Sequence, residues 1–415
     1  MSRLDELIKE LCPDGVRFVS LWSVTIWDKK FNSVGKEKQP VVYDYPYLLA
    51  ADLFSLQRKN GDVFLLSTGE QTGWTTEEIA GSNMREGEVV TIPWGKSRAV
   101  TDCIKYFKGK FVTADNRIMT SNDTSKLDNK YLYYWMMSQG KIIDTFYRGS
   151  GIKHPDMAKV LDMSIPVPPL PIQQEIVRIL DSFTELTAEL TAELEARKKQ
   201  YDYYKLAILN KYISSKTTFV PISSITDVRD GTHESPKQST EGKYLITSKN
   251  VKNGSIVFEG SYLISNKDYD TINLRSKVNK WDLLFTMIGT VGEIGLISEE
   301  PDFAIKNVGL IKVGNETKAR FLKYYLTSEY AKHYIETNRS KGTQGFLPLG
   351  KLRNMPVPVL PFGEQQEIVD ILNKFDMLFS DVNNGLPAEI AARQKQYEYY
   401  RDRLLTFKSI EEVTQ

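Results

Sequence analysis

Hydrophobic and polar positions along this chain follow two alternating patterns. Two long stretches carry short β-type runs broken by Gly, Asn and Asp turns, and each passes into a stretch of helical periodicity. The chain opens with Leu4, Leu7, Ile8 and Leu11 at i, i+3, i+4 and i+7, which predicts a short amphipathic helix stopped by Pro13. Beyond it come the runs VVYDYPYLL, DVFLLST, EVVTIPW and KFVTA, with one helical piece, NKYLYYWMMSQ, at 129–139. Residues 216–355 repeat the plan with KYLIT, SIVFE, DLLFTMI, GLIS and NVGLIKV, and with the helical ARFLKYYLTSEYAKHYI. Both stretches pass through a Gly-rich tract, RGSG at 148–151 and KGTQG at 341–345.

The segments that follow are copies of each other. Pro166, Pro168 and Pro171 recur as Pro356, Pro358 and Pro361, and Gln173, Gln174 and Glu175 recur as Gln365, Gln366 and Glu367. Arg197, Gln200, Tyr201, Tyr203 and Tyr204 recur as Arg393, Gln396, Tyr397, Tyr399 and Tyr400. The first copy carries Leu194, Arg197, Tyr201, Tyr204 and Ile208, and the second Ile390, Arg393, Tyr397, Tyr400 and Leu404. Both sets are spaced 3, 4, 3, 4, the stripe of a coiled-coil seam. The prolines suit extended chain leading into a first helical turn. Asn383-Asn384-Gly385-Leu386-Pro387 predicts a break or kink in the second helix only.

These patterns predict an α+β protein of two half-molecules. An N-terminal helix (1–15) precedes a β-rich domain (16–165) and a central spacer helix (166–215). A second β-rich domain (216–355) and a C-terminal spacer helix (356–415) follow. Two helices bearing the same stripe are expected to pair antiparallel about an internal two-fold. That would set one β-rich domain at each end of a rod, with the N-terminal helix near the end of the C-terminal one.

Composition changes this picture little. At 415 residues more than one core is expected, and 41% apolar with 26% charged residues is ordinary for a globular protein. Cys12 and Cys103 share no ligand or disulfide spacing, and no apolar run reaches the roughly 18 residues of a membrane span. A cytoplasmic protein is expected. The net charge is +1, but its distribution is uneven. Lys+Arg against Asp+Glu is 22 to 21 over 1–165, 6 to 7 over 166–215, 20 to 15 over 216–355 and 6 to 10 over 356–415. The spacers are acidic and the second β-rich domain is basic, so a phosphate backbone would meet a local field that the total conceals.

No catalytic constellation emerges. His154, His233 and His333 lack partners at metal-ligand spacing, and Gly95-Lys96-Ser97 lacks the first glycine of a phosphate-binding loop. Pro301-Asp302 with Glu316-Thr317-Lys318 matches a loose Mg²⁺-nuclease pattern, and so does Pro13-Asp14 with Asp28-Lys29-Lys30. Two matches at unrelated places mark the pattern as unspecific, and turn and surface charges explain both. Binding chemistry remains. Gln71, Thr72, Trp74, Trp94, Lys96, Arg98, Asn116 and Arg117 lie in or beside loops of the first β-rich domain. Thr232, His233, Ser248, Lys249, Asn250, Thr290, Lys306 and Asn307 do so in the second. Such polar and basic side chains read base edges and phosphates, although loops are polar in any protein.

The duplicated PxPxxP…QQEIV…L…F tract (166–183, 356–375) and the duplicated E-[LI]-x-A-R-x-K-Q-Y-x-Y-Y tract (193–204, 389–400) resemble the DNA-specificity subunit of type I restriction–modification enzymes. The resemblance spans essentially the whole chain, and KGKFVTADNRI (108–118) and DGTHESP…YLITSKN (230–250) are similar to stretches of that family's recognition domains. It implies two target-recognition domains, each reading half of a split, asymmetric double-stranded DNA site, with the helices setting the gap. It implies a subunit without catalytic activity or cofactor of its own. Two modification subunits would bring S-adenosylmethionine and methylate adenine, and restriction subunits would bring ATP and Mg²⁺. Two other readings compete: a stand-alone Mg²⁺ nuclease on a duplicated scaffold, and a coiled-coil scaffold that binds no DNA.

Overall fold

A computed structural model describes residues 2–67, 69, 72–114, 117–340 and 345–410, with the main chain alone at 380–384. It is an α+β structure of two compact units, 1–190 with 389–415, and 191–388. Each unit holds one β-rich head and a share of both long helices.

In the first unit, helix α1 (Arg3–Leu11) starts at a capping box in which the Asp5 N–H donates to Ser2 Oγ and the Ser2 N–H donates to Asp5 Oδ2. Its Leu4 is buried in a core that also holds Tyr397 and Leu405, so the N-terminal helix packs by the end of the C-terminal one. The Val16 N–H then donates to the Lys408 carbonyl at 2.8 Å. The head is a six-stranded sheet of β1 (Thr25–Trp27), β2 (Val63–Leu66), β3 (Gly73–Thr75), β4 (Arg85–Ile92), β5 (Lys105–Thr113) and β6 (Arg117–Ser121). Its order is β1-β6-β4-β5-β2-β3, antiparallel except for β2 beside β5. The run VVYDYPYLL forms isolated bridges at Val42 and Leu48 instead of a strand. Pro46 has no N–H to give a ladder, and Asp44 sits at φ 50°, outside the β region. Helix α2 (Asn129–Ser138) covers the sheet, capped by Asp128, and buries Tyr131, Leu132, Trp135 and Met136.

The second head uses different sheets. Strands β7 (Asp227–Asp230), β8 (Lys243–Ile246), β9 (Tyr262–Ile264), β10 (Leu283–Thr286), β11 (Ile294–Leu296), β12 (Phe303–Ile305) and β13 (Val308–Lys312) form two of them. One is antiparallel in the order β7-β13-β10-β11, and the other runs β9-β8-β12 with β8 and β12 parallel. The helical tract at 319–335 splits into Glu316–Leu326 and Glu329–Asn338, because Ser328 takes extended φ/ψ between them.

What the heads share is their attachment. Phe18–Ser20 pairs with Ser164–Pro166, and Phe219–Pro221 with Pro356–Pro358, so each PxP tract closes the base of its head as a two-stranded ribbon. The prolines are tolerated because a two-stranded ribbon is all edge. The Tyr131 hydroxyl donates to the Pro166 carbonyl and the Tyr325 hydroxyl to that of Pro356. Gln173 is fully buried; its Nε2 donates to the Lys126 and Pro168 carbonyls, and its Oε1 accepts from the Asp128 N–H. Gln365 donates likewise to the Leu360 carbonyl. The repeated prolines and glutamines therefore fasten a head to a helix.

The long helices are α3 (Leu170–Tyr212) and α4 (Phe362–Leu404), 43 residues each. The predicted break at Asn383–Pro387 does not occur: α4 runs through Pro387. A proline costs a helix one hydrogen bond and a steric clash, about 3 kcal/mol. That loss is local in a helix held on either side, by Phe375 and Phe379 in one unit and by Tyr397 and Tyr400 in the other. In the second unit the helices run antiparallel, since Tyr201 meets Phe379, Tyr204 meets Phe375, and the Tyr212 hydroxyl donates to Glu367. In the first unit Phe183 stacks on Tyr400 at 5.5 Å, the repeat-related counterpart of Tyr204 on Phe375.

Burial in α3 departs from the predicted stripe. Leu194, Tyr201 and Ile208 are half-buried, but Arg197 and Tyr204 are exposed: Arg197 turns back to Glu193 at 3.3 Å, and Tyr204 keeps one side against Phe375. The deepest positions of α3 include Ile172, Ile176 and Leu180, in the core of the first head, and Lys205 and Leu209, which face the second. The helix thus serves a head as well as a partner helix, and a single 3–4 stripe underestimates its buried surface. In α4, Ile390, Arg393, Tyr400 and Leu404 are half-buried and Tyr397 is buried. Replacing Leu209 by Ala leaves a cavity in a fully buried site, and the expected loss is about 2–5 kcal/mol. Thermal melting of the purified chain checks it; an unchanged melting temperature would place Leu209 outside the core.

Candidate nucleic-acid interface

The second head gathers its predicted residues. Ser248, Lys249, Thr290, Lys306 and Asn307 line one open concavity of about 500 Å³, together with Tyr262. Its walls follow from local sequence. Gly260 and Gly289 turn the chain at positive φ, and Asn307, at φ 54°, makes a tight turn between β12 and β13. Thr232 joins this edge by bridging to Lys306, and His233 follows it. Gly231 allows the approach: a Cβ there would sit 2.4 Å from the Ile305 carbonyl oxygen.

Asn250 frames this groove without presenting its amide to it. It is 2% exposed; its Oδ1 accepts from Thr247, and its Nδ2 donates to the Val257 and Glu259 carbonyls. An amide with both ends occupied inside the fold has nothing left for a base edge. Lys306 Nζ donates to Ser235 Oγ, and Lys249 and Thr290 are exposed on the rim.

The first head spreads its candidates over separate places. Trp74, on β3, packs against Phe64 and Phe107 with one side exposed. Trp94 lies against His154 at 4.1 Å and under the Arg117 guanidinium at 5.7 Å, and it too is exposed. The Lys96 ammonium is turned inward: it pairs with Asp144, lies 4.9 Å from the Tyr147 ring centroid, and is 9% exposed. Burial favours pairing it there over neutralising a phosphate. Arg98 Nε donates to Cys103 Sγ, and Thr72 is exposed. Gln71 and Asn116 lie outside the described residues.

Sequence reading passed over Lys105, which supports a loop beside these residues by donating to the Ser67 and Gly69 carbonyls. Burial, and then the nearby Arg98 charge, lower its pKa. The signal was present in the cluster of basic residues Lys105, Lys108 and Lys110 along β5. The exposed Tyr43 and Tyr47, beside Tyr45 and Lys29, were also missed, since a run read as a strand offered no reason to single them out.

The nuclease-like residues do not assemble. Asp302 pairs with Lys243 at 2.6 Å and Glu316 with Arg320 at 2.9 Å. Among the described residues no three His, Cys, Asp or Glu side chains gather as a metal site, and no helix is long and apolar enough to cross a membrane.

The profile of the type I restriction modification DNA specificity domain matches this sequence twice, over 38–197 and 201–392. The chain belongs to this family. It is 32% identical over 337 residues to the type I restriction enzyme EcoR124I/EcoR124II specificity subunit of Escherichia coli, covering 74% of this chain and 78% of that one. A putative type I restriction enzyme specificity subunit of Haemophilus influenzae is 31% identical over 341 residues, 78% of this chain and 83% of its own. The fold is also that of a solved type I restriction–modification S subunit from M. genitalium, with TM-score 0.52 at 15% identity over 94% and 96% of the two chains. A structure from work on assembly and conformational transition of the type I system aligns with TM-score 0.54 at 15% identity over 95% and 98%. As a specificity subunit the chain is a DNA-recognition component of a restriction–modification system. Neither the stand-alone nuclease nor the DNA-free scaffold gains support from these relatives.

The specificity subunit's two heads differ where recognition is expected and agree where they meet the helices. Tyr134 donates to Asp181 in the first unit, and its counterpart Tyr324 donates to Asn373 and Asp376 in the second. Burial first, and then the neighbouring carboxylate, raise the pKa of both tyrosines, so both stay protonated donors at neutral pH. Burial pushes Tyr397 of the seam up to about 12.

Proposed function

We propose that each head reads one half of a split, asymmetric DNA site and that α3 and α4 act as the ruler between the halves. The observation that carries this reading is the contrast just described: different loop surfaces on different sheets, fastened to repeated helices by the same bonds. The loop residues reach base edges and phosphates. In the second head these are Thr232, His233, Ser248, Lys249, Thr290, Lys306 and Asn307. In the first they are Thr72, Trp74, Trp94, Arg98 and Arg117. The exposed sides of the seam helices dock two modification subunits, which carry S-adenosylmethionine, and restriction subunits bring ATP and Mg²⁺. The chain itself performs no chemistry, and it works in the cytoplasm.

The near-neutral first head places much of the phosphate neutralisation on those partners. The isolated chain should bind DNA weakly, and the complex tightly. Co-expression with the modification subunits of the same system, followed by single-molecule sequencing for methyladenine, tests the reading. A single bipartite motif with a fixed gap is expected. A continuous motif, or methylation that does not depend on this chain, would overturn it.

A further inference from the structure

We propose that Asp230, His233 and Asn307 form a hydrogen-bonded relay that decides which end of the Asn307 amide faces the groove of the second head. The relay thereby sets which base edge that half of the site accepts. The inference rests on the DNA-reading function above and names a determinant within it.

The relay starts from a buried anchor. The Asp230 side chain is 6% exposed, its Oδ1 bound by the Arg275 guanidinium and its Oδ2 2.9 Å from His233 Nε2. The other ring nitrogen, Nδ1, lies 2.8 Å from Asn307 Oδ1. The Asn307 backbone is itself pinned. Its N–H donates to the Thr232 carbonyl at 3.1 Å, and its carbonyl accepts from Ser248 Oγ at 3.3 Å. Its left-handed φ is one that asparagine adopts readily. The backbone cannot turn, so only the side-chain amide retains a choice.

That choice is coupled to the imidazole. A carboxylate only accepts, so Nε2 carries a proton toward Asp230. An amide oxygen also only accepts, so Nδ1 is the donor in the contact to Asn307. Asn307 gives its oxygen to the ring and keeps its Nδ2, which no other described residue bonds, for the groove. A donor in the groove selects a base edge offering an acceptor: guanine O6 or N7, adenine N7 or thymine O4. Turned over, the amide would offer Oδ1 to the groove instead, and an acceptor there selects cytosine N4–H or adenine N6–H.

The test uses the full chain in complex with its modification subunits, methylating duplexes in which each position of one half-site is varied. Asn307→Asp is nearly isosteric and tolerates the same φ. It keeps an acceptor for His233 but presents oxygen to the groove. Methylation of the natural site should fall about tenfold or more, and one position of one half-site should move to cytosine or adenine. The unaltered half-site reports that the variant is folded. His233→Phe removes the bond that fixes the amide, and it should show a relaxed preference at that same position of the half-site. An unchanged half-site in N307D, or an unrelaxed preference in H233F, would overturn the relay. Absence of any bipartite motif in wild type would instead overturn the DNA-reading function on which it rests.

Discussion

Inserting four residues into both long helices, after Thr187 in α3 and after Pro387 in α4, is expected to widen the gap of the methylated motif by about two base pairs. Both half-sites should be left intact. Four residues add ~6 Å and roughly 1.1 turns, so each helix keeps its buried face. A duplex rises ~3.4 Å per base pair, which converts that length to about two steps. Both helices must be lengthened. The anchor pairs Phe183–Tyr400 and Tyr204–Phe375 lie on either side of the insertions, and each helix runs unbroken from one pair to the other. An insertion in α3 alone opposes a longer helix to an unchanged one, and methylation should drop. Methylome sequencing reads the result directly. A gap that stays the same after the paired insertion would mean that the helices are not a ruler.

The second large effect is a head exchange. Replacing residues 21–163 with another recognition head is expected to abolish methylation at the original first half-site, by about a thousandfold or more, while the second half-site persists. The cut points keep the ribbon of Phe18–Ser20 with Ser164–Pro166, which forms the base of the head. The donor must supply counterparts of three groups. Asp128 receives Gln173 through its N–H, Tyr131 reaches the Pro166 carbonyl, and Tyr134 reaches Asp181. A tyrosine without its partner would be a buried, unsatisfied hydroxyl, costing ~1–3 kcal/mol. If both half-sites change, the heads are not independent readers.

Several features stood in the sequence because they depend on spacing alone. The duplication, the two long helices, the N-terminal helix and most strands of both heads are visible as periods of 2 or 3.6 residues. Tyr201, Tyr204, Tyr397 and Tyr400 could be placed on a seam for the same reason. Arg197 could not be excluded from it: an arginine on the stripe is compatible with burial, and its return to Glu193 depends on the rotamer that the surroundings allow. Pro387 misled because its penalty is local, whereas the support of α4 comes from residues on both flanks.

The candidate site divides in the same way. Polar loop residues were recognisable as candidates, but their state depended on contacts far away in sequence. Lys96 is held by Asp144, Asn250 is filled by Val257 and Glu259, and His233 stands between Asp230 and Asn307. Whether a side chain offers its donors to solvent or spends them inside the fold is settled by partners that the chain brings together only on folding. The sequence by itself determined the repeat, the class of fold, the family and the list of polar candidates, because each follows from local periodicity or from motifs. Only the tertiary structure decided which of those candidates share a groove, which are used up in the core, and that the proline in α4 is tolerated. Those outcomes depend on packing and hydrogen-bond geometry between residues distant along the chain.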